Sequence, residues 1–288
     1  MKLWVIGSRG LLGSALIAAA KIPCIGSSHR EADISDLNSL RAFAKRDRGI
    51  THIVNCAAYS LVDLSETHRE EAYLSNAIGP ENLSILAKEI GAHLIHISTD
   101  YVFPGDLHRP LTEQDPVGPL NYYGKTKLEG EQRVLKAMPS ACVVRVSWLF
   151  GPGGKNFVSK MLQLLQEQKE IRLTNDQWGR PTYAPDFAQV LLQMLGRSGL
   201  YQFANSGVAS KYDFGLAMYR QALELGFPVV AEAIQSVPGS TFPSPCKRPV
   251  YSAFDTSKIE RELNITARHW ELALREFMEE YAPAKTSC

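Results

Sequence analysis

The sequence predicts an α/β protein with a Rossmann-type, doubly wound parallel sheet and a smaller C-terminal substrate-binding lobe. Three observations indicate this fold: a glycine-rich turn near the N-terminus, strand and helix patterns that alternate through the first half, and loss of that alternation after about residue 150. Strands separated by helices are typical of βαβ units, whose strands lie parallel. The chain has 288 residues and is 45% hydrophobic, so it can bury a large core.

The first half contains five β-rich runs with helical patterns between them. We expect strands at Leu3–Ile6, Pro23–Ile25, His52–Asn55, His93–Ser98 and Ala141–Ser147. We expect helices at Leu11–Ala20, Leu37–Lys45, Glu70–Glu89 and Tyr123–Met138. Continuous apolar strands such as Leu94–Ile97 suit a sheet that is covered on both faces.

The second half has a looser pattern. Helices are expected near Asn156–Gln168, Pro185–Leu195, Tyr212–Leu225, Thr256–Leu263 and Trp270–Tyr281, and strands near Ile171–Thr174 and Leu200–Phe203. The segment Val237–Pro249 carries four prolines and is expected to be a long loop over a surface or cleft. Residues 151–288 are therefore predicted to form mainly the lobe, while a segment near 184–205 returns to the domain formed by residues 1–150.

Composition argues against several classes of partner. The formal net charge is +1 and there is no dense block of Lys and Arg, so no nucleic-acid surface is expected. No apolar run approaches the length of about 18 residues that a membrane span needs. The cysteines, at 24, 56, 142, 246 and 288, form no CxxC pair, which fits buried thiols and a reducing cytoplasm.

The glycine-rich turn follows the first strand and opens the first helix. Gly7, Gly10 and Gly13 have the spacing of a dinucleotide-binding turn. Gly7 permits the tight turn, Gly10 lets the backbone approach a pyrophosphate, and Gly13 lets helix and strand pack closely. The helix N-terminus then offers free N–H groups to an anion. Residues 1–150 are therefore predicted to bind NAD or NADP.

The residues after the second strand bear on which dinucleotide binds. NAD specificity usually requires an acidic residue at the strand end to bind the ribose 2′-hydroxyl, and none is expected there. Ser27, Ser28, His29 and Arg30 could instead receive a 2′-phosphate, with Arg30 as a multidentate donor. We therefore predict a preference for NADPH. If Arg30 is only a solvated loop charge, NADH remains open.

Tyr123 and Lys127 are four residues apart on a predicted helix, so their side chains share one face. Lowering the pKa of a tyrosine from about 10 toward 7 requires roughly 4 kcal/mol of phenolate stabilisation. A nearby ammonium and a cationic nicotinamide can supply energy of that order. Tyr123 could then donate a proton to a carbonyl oxygen as hydride reaches the carbon. Thr99, at the carboxyl end of its strand, is placed to hydrogen-bond the same oxygen.

Ten segments together resemble the extended short-chain dehydrogenase/reductases, and within them the dTDP-4-dehydrorhamnose reductases. They are Gly7–Gly13, Cys56–Tyr59, Asn76–Pro80, Ser98–Phe103, Tyr123–Lys127, Arg145–Gly151, Asn156–Val158, Asp176–Thr182, Arg248–Pro249 and Phe254–Lys258. The resemblance runs essentially from end to end.

The resemblance implies site residues beyond those derived above. It implies that Thr99, Tyr123 and Lys127 form a catalytic triad. The candidate cofactor-binding residues are Gly7, Arg9, Gly10, Leu11, Leu12, Ser28, Arg30, Asp33, Ile34, Ala57, Ala58, Tyr59, Asn76, Tyr123 and Lys127. The candidate substrate-binding residues are Val62, Thr99, Asp100, Tyr101, Tyr123, Trp148, Arg180 and Arg248. Arg180 and the pair Lys247–Arg248 are the candidates for a nucleotide diphosphate, since guanidinium groups suit phosphate.

The implied activity is NADPH-dependent reduction of the C4 keto group of a nucleotide-linked 6-deoxy-4-ketohexose, with dTDP-4-dehydro-L-rhamnose as the expected substrate. A 4,6-dehydratase fits less well, because Tyr101 stands where related dehydratases carry a Glu. A 4-epimerase would usually favour NAD. An NADP-binding regulatory protein, like one subunit of methionine adenosyltransferase, stays open. Some relatives bridge subunits through magnesium, but no carboxylates for it are identifiable here, so no metal is predicted; a homodimer is compatible with the resemblance.

Overall fold

The computed structural model describes residues 1–154 and 156–282, so Cys288 lies outside the described residues. The strands are β1 (Leu3–Ile6), β2 (Cys24–Ser27), β3 (His52–Asn55), β4 (His93–Thr99), β5 (Cys142–Val146), β6 (Leu149–Phe150), β7 (Glu170–Thr174), β8 (Trp178–Gly179), β9 (Thr182–Tyr183), β10 (Gly199–Phe203), β11 (Ala209–Ser210) and β12 (Ala233–Val237). The α-helices are α1 (Leu11–Ala19), α2 (Leu37–Arg46), α3 (Arg69–Tyr73), α4 (Gly79–Ile90), α5 (Tyr122–Ala137), α6 (Phe157–Glu167), α7 (Ala184–Gln193), α8 (Lys211–Leu225), α9 (Ser257–Leu263) and α10 (Trp270–Tyr281). Among the described residues, no helix is both long and apolar enough to cross a membrane.

The central sheet is parallel throughout, with the strand order β10-β5-β4-β3-β1-β2. Chain order reverses at β1, which pairs with β2 on one side and β3 on the other. In such sheets the crevice at the carboxyl ends of the strands, beside the reversal point, is where ligands bind. The predicted α/β class and doubly wound sheet are confirmed.

Both faces of the sheet are covered, as the apolar strands predicted. Side chains alternate along β1: Leu3 and Val5 join the core cluster that contains residues of α1, α7 and α9. Trp4 and Ile6 join the opposite cluster, with residues of α2, α4 and α5. A strand that is buried on both faces needs apolar residues at every position, which explains the continuous hydrophobic run Leu3–Ile6.

A later segment of the chain adds to this sheet. β10 pairs in parallel with β5, from Gly199 opposite Cys142 to Phe203 opposite Val146. α7 packs against α1, and Phe187 stacks on Phe203 with ring centroids 5.6 Å apart. Residues 184–203 therefore extend the sheet and its helical layer.

The remaining C-terminal elements enclose a core of their own. α6, α8 and α10 surround buried aromatic side chains that include Phe150, Phe214, Trp270 and Phe277. The parallel pair β7–β12 packs against α8. This core is separate from those of the sheet. A cavity between them is lined by Thr99 and Val146, at the carboxyl ends of β4 and β5, and by Lys211 at the start of α8.

The expected single helix at Glu70–Glu89 is instead interrupted. A π-helical turn at Leu74–Ile78 separates α3 from α4. Pro80 has no N–H to donate to the carbonyl of Asn76, four residues earlier, so the regular ladder cannot continue there. A Cβ atom on Gly130 would overlap that same carbonyl, and α5 therefore lies directly against the π turn. The two-residue strands β6, β8, β9 and β11 were also not predicted, because pairs of residues carry no periodic pattern.

Candidate active site

The glycine turn has the geometry that dinucleotide binding requires. Gly7 has a φ of +72°, and a Cβ there would lie 2.8 Å from the amide nitrogen of Ala57. A Cβ on Gly13 would overlap the carbonyl oxygen of Gly7. Helix α1 begins with Gly10 as its N-cap, and no side chain caps it. The first N–H groups of the helix are thus left for an anionic ligand.

The turn lines a cavity of about 590 Å³ at the carboxyl ends of the sheet strands. Of the predicted site residues, those that line it are Gly7, Arg9, Gly10, Leu11, Leu12, Ser28, Ala57, Ala58, Val62, Thr99, Asp100, Tyr101, Tyr123, Lys127 and Trp148. The hydroxyl of Ser98 also faces this cavity, is buried, and has no hydrogen-bond partner among the described residues. We refer to this space as the inner cavity.

A smaller space of about 400 Å³ continues from the same turn. It shares Gly7, Ala57 and Ala58 with the inner cavity and is lined further by Asp33, Ile34 and Tyr59. This is the side of the sheet reversal on which β2 ends. The residues expected at the adenine and ribose end of a dinucleotide are therefore grouped there.

The three predicted catalytic residues meet in the inner cavity. Thr99 ends β4, while Tyr123 and Lys127 lie in the first turns of α5, whose N-cap Asn121 accepts a hydrogen bond from the amide of Gly124 at 2.8 Å. The ammonium of Lys127 donates to the carbonyl of Ile97 at 2.6 Å. The hydroxyl of Thr99 is close enough to the phenol of Tyr123 to lower the pKa of that phenol. Strand β4 and helix α5 thus bring both hydroxyl-bearing residues to the wall of one cavity.

The pKa of Tyr123 departs from the expectation. This pKa is raised to about 12, chiefly by burial; Thr99 opposes this rise and the carboxylate of Asp100 adds to it. The ammonium of Lys127 is held by the Ile97 carbonyl. The protein's own groups, without the cationic nicotinamide that the prediction also includes, do not bring the pKa of Tyr123 toward neutrality, because the loss of hydration outweighs the effect of Thr99. Tyr123 holds its proton at neutral pH, which is the form that can donate.

Asp100 joins a buried polar cluster that the sequence did not reveal. Its carboxylate accepts hydrogen bonds from the hydroxyls of Ser252 at 2.6 Å and Thr99 at 3.1 Å. Burial raises the pKa of Asp100 to about 6, an effect that Ser252, Thr99 and the ammonium of Lys211 oppose. A side chain from α8 and one from a distant loop thus converge on the strand end that carries Thr99.

Lys211 is the cation of this cluster. Its ammonium lies 3.3 Å from the ring centroid of Trp148 and 4.9 Å from that of Phe157. Burial lowers the pKa of Lys211 to about 7, against the attraction of Asp100. Trp148 has a φ of +43°, which is unusual for a bulky residue, and its indole occupies the space where a Cβ on Gly179 would be. Such a backbone angle at a cavity wall is often found at functional sites.

An outer cavity of about 670 Å³ adjoins the inner one, and Lys211 lines both. The predicted long loop forms one wall through Phe242, Pro243, Ser244 and Pro245. Arg248 also lines it, and one nitrogen of its guanidinium donates to both carboxylate oxygens of Asp63 at 2.9 Å. The predicted loop is confirmed for residues 238–249, which include a 3-10 turn at Gly239–Thr241, whereas Val237 ends β12.

Arg180 does not lie where a diphosphate contact would need it. It is 9% exposed, and its guanidinium donates to the carbonyls of Asn205 at 2.8 Å and Phe254 at 2.7 Å, and to the hydroxyl of Thr256. These internal hydrogen bonds solvate the buried guanidinium of Arg180. The expectation that Arg180 binds phosphate is wrong, and its contacts instead join the sheet edge to the C-terminal segment.

Two predicted cofactor residues are also placed differently. The amide of Asn76 is buried and binds both backbone groups of Tyr59, at 2.9 and 3.1 Å, together with the hydroxyl of Thr126. Asn76 therefore positions the Tyr59 loop rather than contacting a ligand. Arg30 is exposed, and the residues of its segment that line the inner cavity are Ser28 and His29.

Comparisons with known proteins show which family the chain resembles. The family described as RmlD substrate binding domain matches residues 1–282. The chain is 36% identical over 288 residues to the spore coat polysaccharide biosynthesis protein SpsK of Bacillus subtilis, covering 98% of this chain and 99% of that protein. It is 35% identical over 235 residues to the dTDP-4-dehydrorhamnose reductase of Escherichia coli, covering 79% of each. A crystal structure of dTDP-4-dehydrorhamnose reductase from Bacillus anthracis in complex with NADP superposes with a TM-score of 0.90, at 32% identity, covering 97% of this chain and 100% of that one.

The chain belongs to the RmlD family. The resemblance drawn from the sequence motifs is thus confirmed, as is the Rossmann-type fold.

Within this RmlD-family chain, sequence reasoning missed Lys211 and Ser252. The run Ser210-Lys211-Tyr212-Asp213 is a capping box that marks the start of α8. That signal places Lys211 at a helix N-terminus. It does not say that the helix points at Asp100, and Ser252 has no local signal at all.

Proposed function

We propose that this chain reduces the C4 keto group of a nucleotide-linked 6-deoxy-4-ketohexose with NADPH, with dTDP-4-dehydro-L-rhamnose as the expected substrate and dTDP-L-rhamnose as the product. The observation that carries the proposal is the convergence of Thr99, Tyr123 and Lys127 on the cavity that begins at the glycine turn. In this proposal residues 1–150, with the segment near 184–205, bind the cofactor. The rest of residues 151–288 binds mainly the substrate.

NADPH fits the groups that line the cavity. Gly7 and Gly10 leave room for a pyrophosphate, and the uncapped start of α1 offers it N–H donors. The relative from Bacillus anthracis was crystallised with NADP. When bound, the cofactor supplies the hydride that is added to C4 of the sugar.

The chain's own residues supply the proton and hold the oxygen. Tyr123 keeps its proton because burial raises its pKa, and it transfers that proton to the carbonyl oxygen as the C–H bond forms. On substrate binding the hydroxyl of Thr99 exchanges its hydrogen bond to Asp100 for one to the same oxygen, and so stabilises the negative charge that develops there. Hydride and proton together convert the ketone to a secondary alcohol.

The two cavities are expected to hold different parts of the substrate. The sugar fits the inner cavity, against Asp100, Tyr101 and Trp148. The nucleoside fits the outer cavity, whose wall carries Phe242. The diphosphate must then pass the junction, where Lys211 lines both spaces and Arg248 lies on the outer side.

Replacing Lys211 with methionine is expected to raise KM for the sugar nucleotide by about 10- to 100-fold, the loss of one charge-assisted hydrogen bond. Methionine keeps the apolar stem against Trp148 and Phe157. The dissociation constant for NADPH should be unchanged. Initial rates over a range of sugar nucleotide, with NADPH binding followed by fluorescence, measure both. Lys160→Met removes an exposed lysine from the outer cavity wall and is the matched control. An equal effect in the two variants would contradict the assignment.

The pH profile should reflect Lys127. Burial lowers the pKa of Lys127 to about 8, against the attraction of Glu131. Above that pH the lysine is neutral and gives less support to negative charge on Tyr123 and the substrate oxygen, so kcat should fall as the pH rises through about 8. The measurement uses saturating sugar nucleotide, so that loss of charge on Lys211 does not limit the rate through binding. Lys127→Arg keeps its charge at high pH, and its residual activity should lack this fall. A wild-type profile that stays flat to about pH 10 would contradict this account.

The function is tested by the oxidation of NADPH, followed at its absorbance band, across a panel of nucleotide-linked 4-keto sugars. Turnover with the dTDP-linked 6-deoxy sugar and formation of the 4-hydroxy product support the proposal. NADPH binding without turnover of any panel member, together with altered activity of a partner enzyme, would support the regulatory alternative instead. Comparable kcat/KM values with NADH and NADPH would overturn the cofactor preference.

A further inference from the structure

The end of β2 carries an acidic residue after all, brought there by the fold. β2 ends at Ser27, whose carbonyl accepts hydrogen bonds from the amides of Gly7 and Ser8 at 2.9 and 3.1 Å. The next residues turn back on themselves, and the amide of Glu31 donates to the carbonyl of Ser28 at 3.0 Å. The expectation that no acid stands at this strand end is wrong, because the turn places the Glu31 side chain beside Ser28.

One carboxylate oxygen of Glu31 is surrounded by donor groups of Ser28 and Arg9. The amide of Ser28 donates to it at 2.8 Å and the hydroxyl of Ser28 at 2.6 Å. The guanidinium of Arg9 lies 3.7 Å from the same oxygen. Ser28 and Arg9 both line the inner cavity with the glycine turn. Three donors from two loops therefore converge on one anionic atom at the edge of the cofactor site.

These donors are of the kind that bind a phosphate monoester: a backbone N–H, a hydroxyl and a guanidinium. In Rossmann folds the adenosine ribose lies at the end of the second strand, where a 2′-phosphate meets the residues that follow it. Here those residues are Ser28 and His29, while Arg30 is exposed outside the cavity lining. The donor set on Glu31 is thus the set that the 2′-phosphate of NADPH requires.

We propose that the carboxylate of Glu31 competes with the 2′-phosphate of NADPH for Ser28 and Arg9, and so limits the preference for NADPH over NADH. This inference rests on the proposed cofactor function. The side chain of Glu31 is 46% exposed, so it can swing into solvent when a phosphate takes its donors. A ribose 2′-hydroxyl carries no charge that would displace it.

The electrostatics support competition rather than cooperation. The hydroxyl and amide of Ser28 hold the pKa of Glu31 below its usual range, so the side chain is ionised at neutral pH. A carboxylate that stayed in place would oppose a phosphate dianion at hydrogen-bonding distance. Removing its charge should therefore favour NADPH and leave NADH almost unaffected.

The test is the dissociation constant of each nucleotide, measured by fluorescence titration with NADPH and NADH and by calorimetry with adenosine 2′,5′-bisphosphate and AMP. In Glu31→Gln the constants for NADPH and for the bisphosphate are expected to fall by about five- to tenfold. Those for NADH and AMP should change less than about twofold. Glu89→Gln removes an exposed carboxylate that is likewise paired with an arginine, Arg41, and should change none of them.

A second variant distinguishes the loss of a phosphate donor, Ser28, from the loss of the competing carboxylate of Glu31. Ser28→Ala removes a donor of the proposed phosphate site and should weaken NADPH binding more than NADH binding. No change in Glu31→Gln, or equal changes for the phosphorylated and unphosphorylated nucleotides, would overturn the inference while leaving the proposed reductase function intact. If the wild-type protein bound none of the four nucleotides, the proposed function itself would fail.

Discussion

Tyr123→Phe is expected to lower kcat for keto-sugar reduction by about 10³-fold, within the range for loss of a general acid. Phenylalanine keeps the ring that meets Tyr101 edge to face, with centroids 5.6 Å apart, and removes only the hydroxyl beside Thr99. The hydride could still be delivered, but the oxygen would have to take its proton from water. The dissociation constant for NADPH should stay the same, which separates loss of chemistry from loss of binding. Single-turnover NADPH oxidation and fluorescence titration measure the two quantities.

The neighbouring tyrosine offers a matched control. Tyr122 is the first residue of α5 and lies under the guanidinium of Arg69, 4.8 Å from its ring centroid. Tyr122→Phe removes a hydroxyl one residue away and keeps that ring contact, so kcat should remain close to wild type. A Tyr123→Phe variant with more than about a tenth of wild-type kcat would show that another group supplies the proton.

Gly13→Ala is expected to weaken NADPH binding by about 100-fold, because the overpacked turn must open and lose contact with the pyrophosphate, at a cost of roughly 3 kcal/mol. A Cβ at this position would overlap the carbonyl oxygen of Gly7 and lie 2.8 Å from the Cα of Ser8. Both neighbours are backbone of the turn, so the turn must open. Alanine gains about 1 kcal/mol in helix propensity. That gain is smaller than the cost of overpacking, up to about 3 kcal/mol or more, so the free energy of unfolding should fall by about 2 kcal/mol.

A glycine outside the site, Gly118, provides a control for a glycine-to-alanine substitution that causes no steric overlap. A Cβ on Gly118 would meet the ring of Pro104 at 3.6 Å, an ordinary contact. Gly118→Ala should change neither NADPH affinity nor the denaturant midpoint by much. Equal losses in both variants would show that the turn at Gly13 is not especially constrained, and wild-type affinity in Gly13→Ala would remove the turn from the cofactor site.

The elements of the first half of the chain were predictable because their signals are local. The strand Leu3–Ile6 was placed without error, and α1 and β4 were each placed to within one residue. Glycine spacing and the Tyr123–Lys127 interval are likewise short-range patterns. They report on backbone geometry and helix faces, which depend on neighbouring residues.

Contacts between distant segments were not predictable in the same way. Arg180 was predicted to bind phosphate, yet in the fold its guanidinium donates to the backbone carbonyls of residues 205 and 254. The pKa of Tyr123 rises because the helix buries it, a property of the whole packing. Asn76 has the polarity of a ligand residue, but the π turn directs it to Tyr59.

The sequence by itself predicted the glycine turn and the Tyr123–Lys127 pair from spacing within one segment, Thr99 from its place at a strand end, and the parallel sheet from the alternation of strands and helices. Only the tertiary structure decided that Ser252 and Lys211 converge on Asp100, that Lys211 joins the two cavities, and that Glu31 binds Ser28. Each of these contacts depends on how loops that are distant in the sequence meet at the edge of the sheet. The free energy that holds them there comes from burial across the whole fold, and no short pattern in the chain records it.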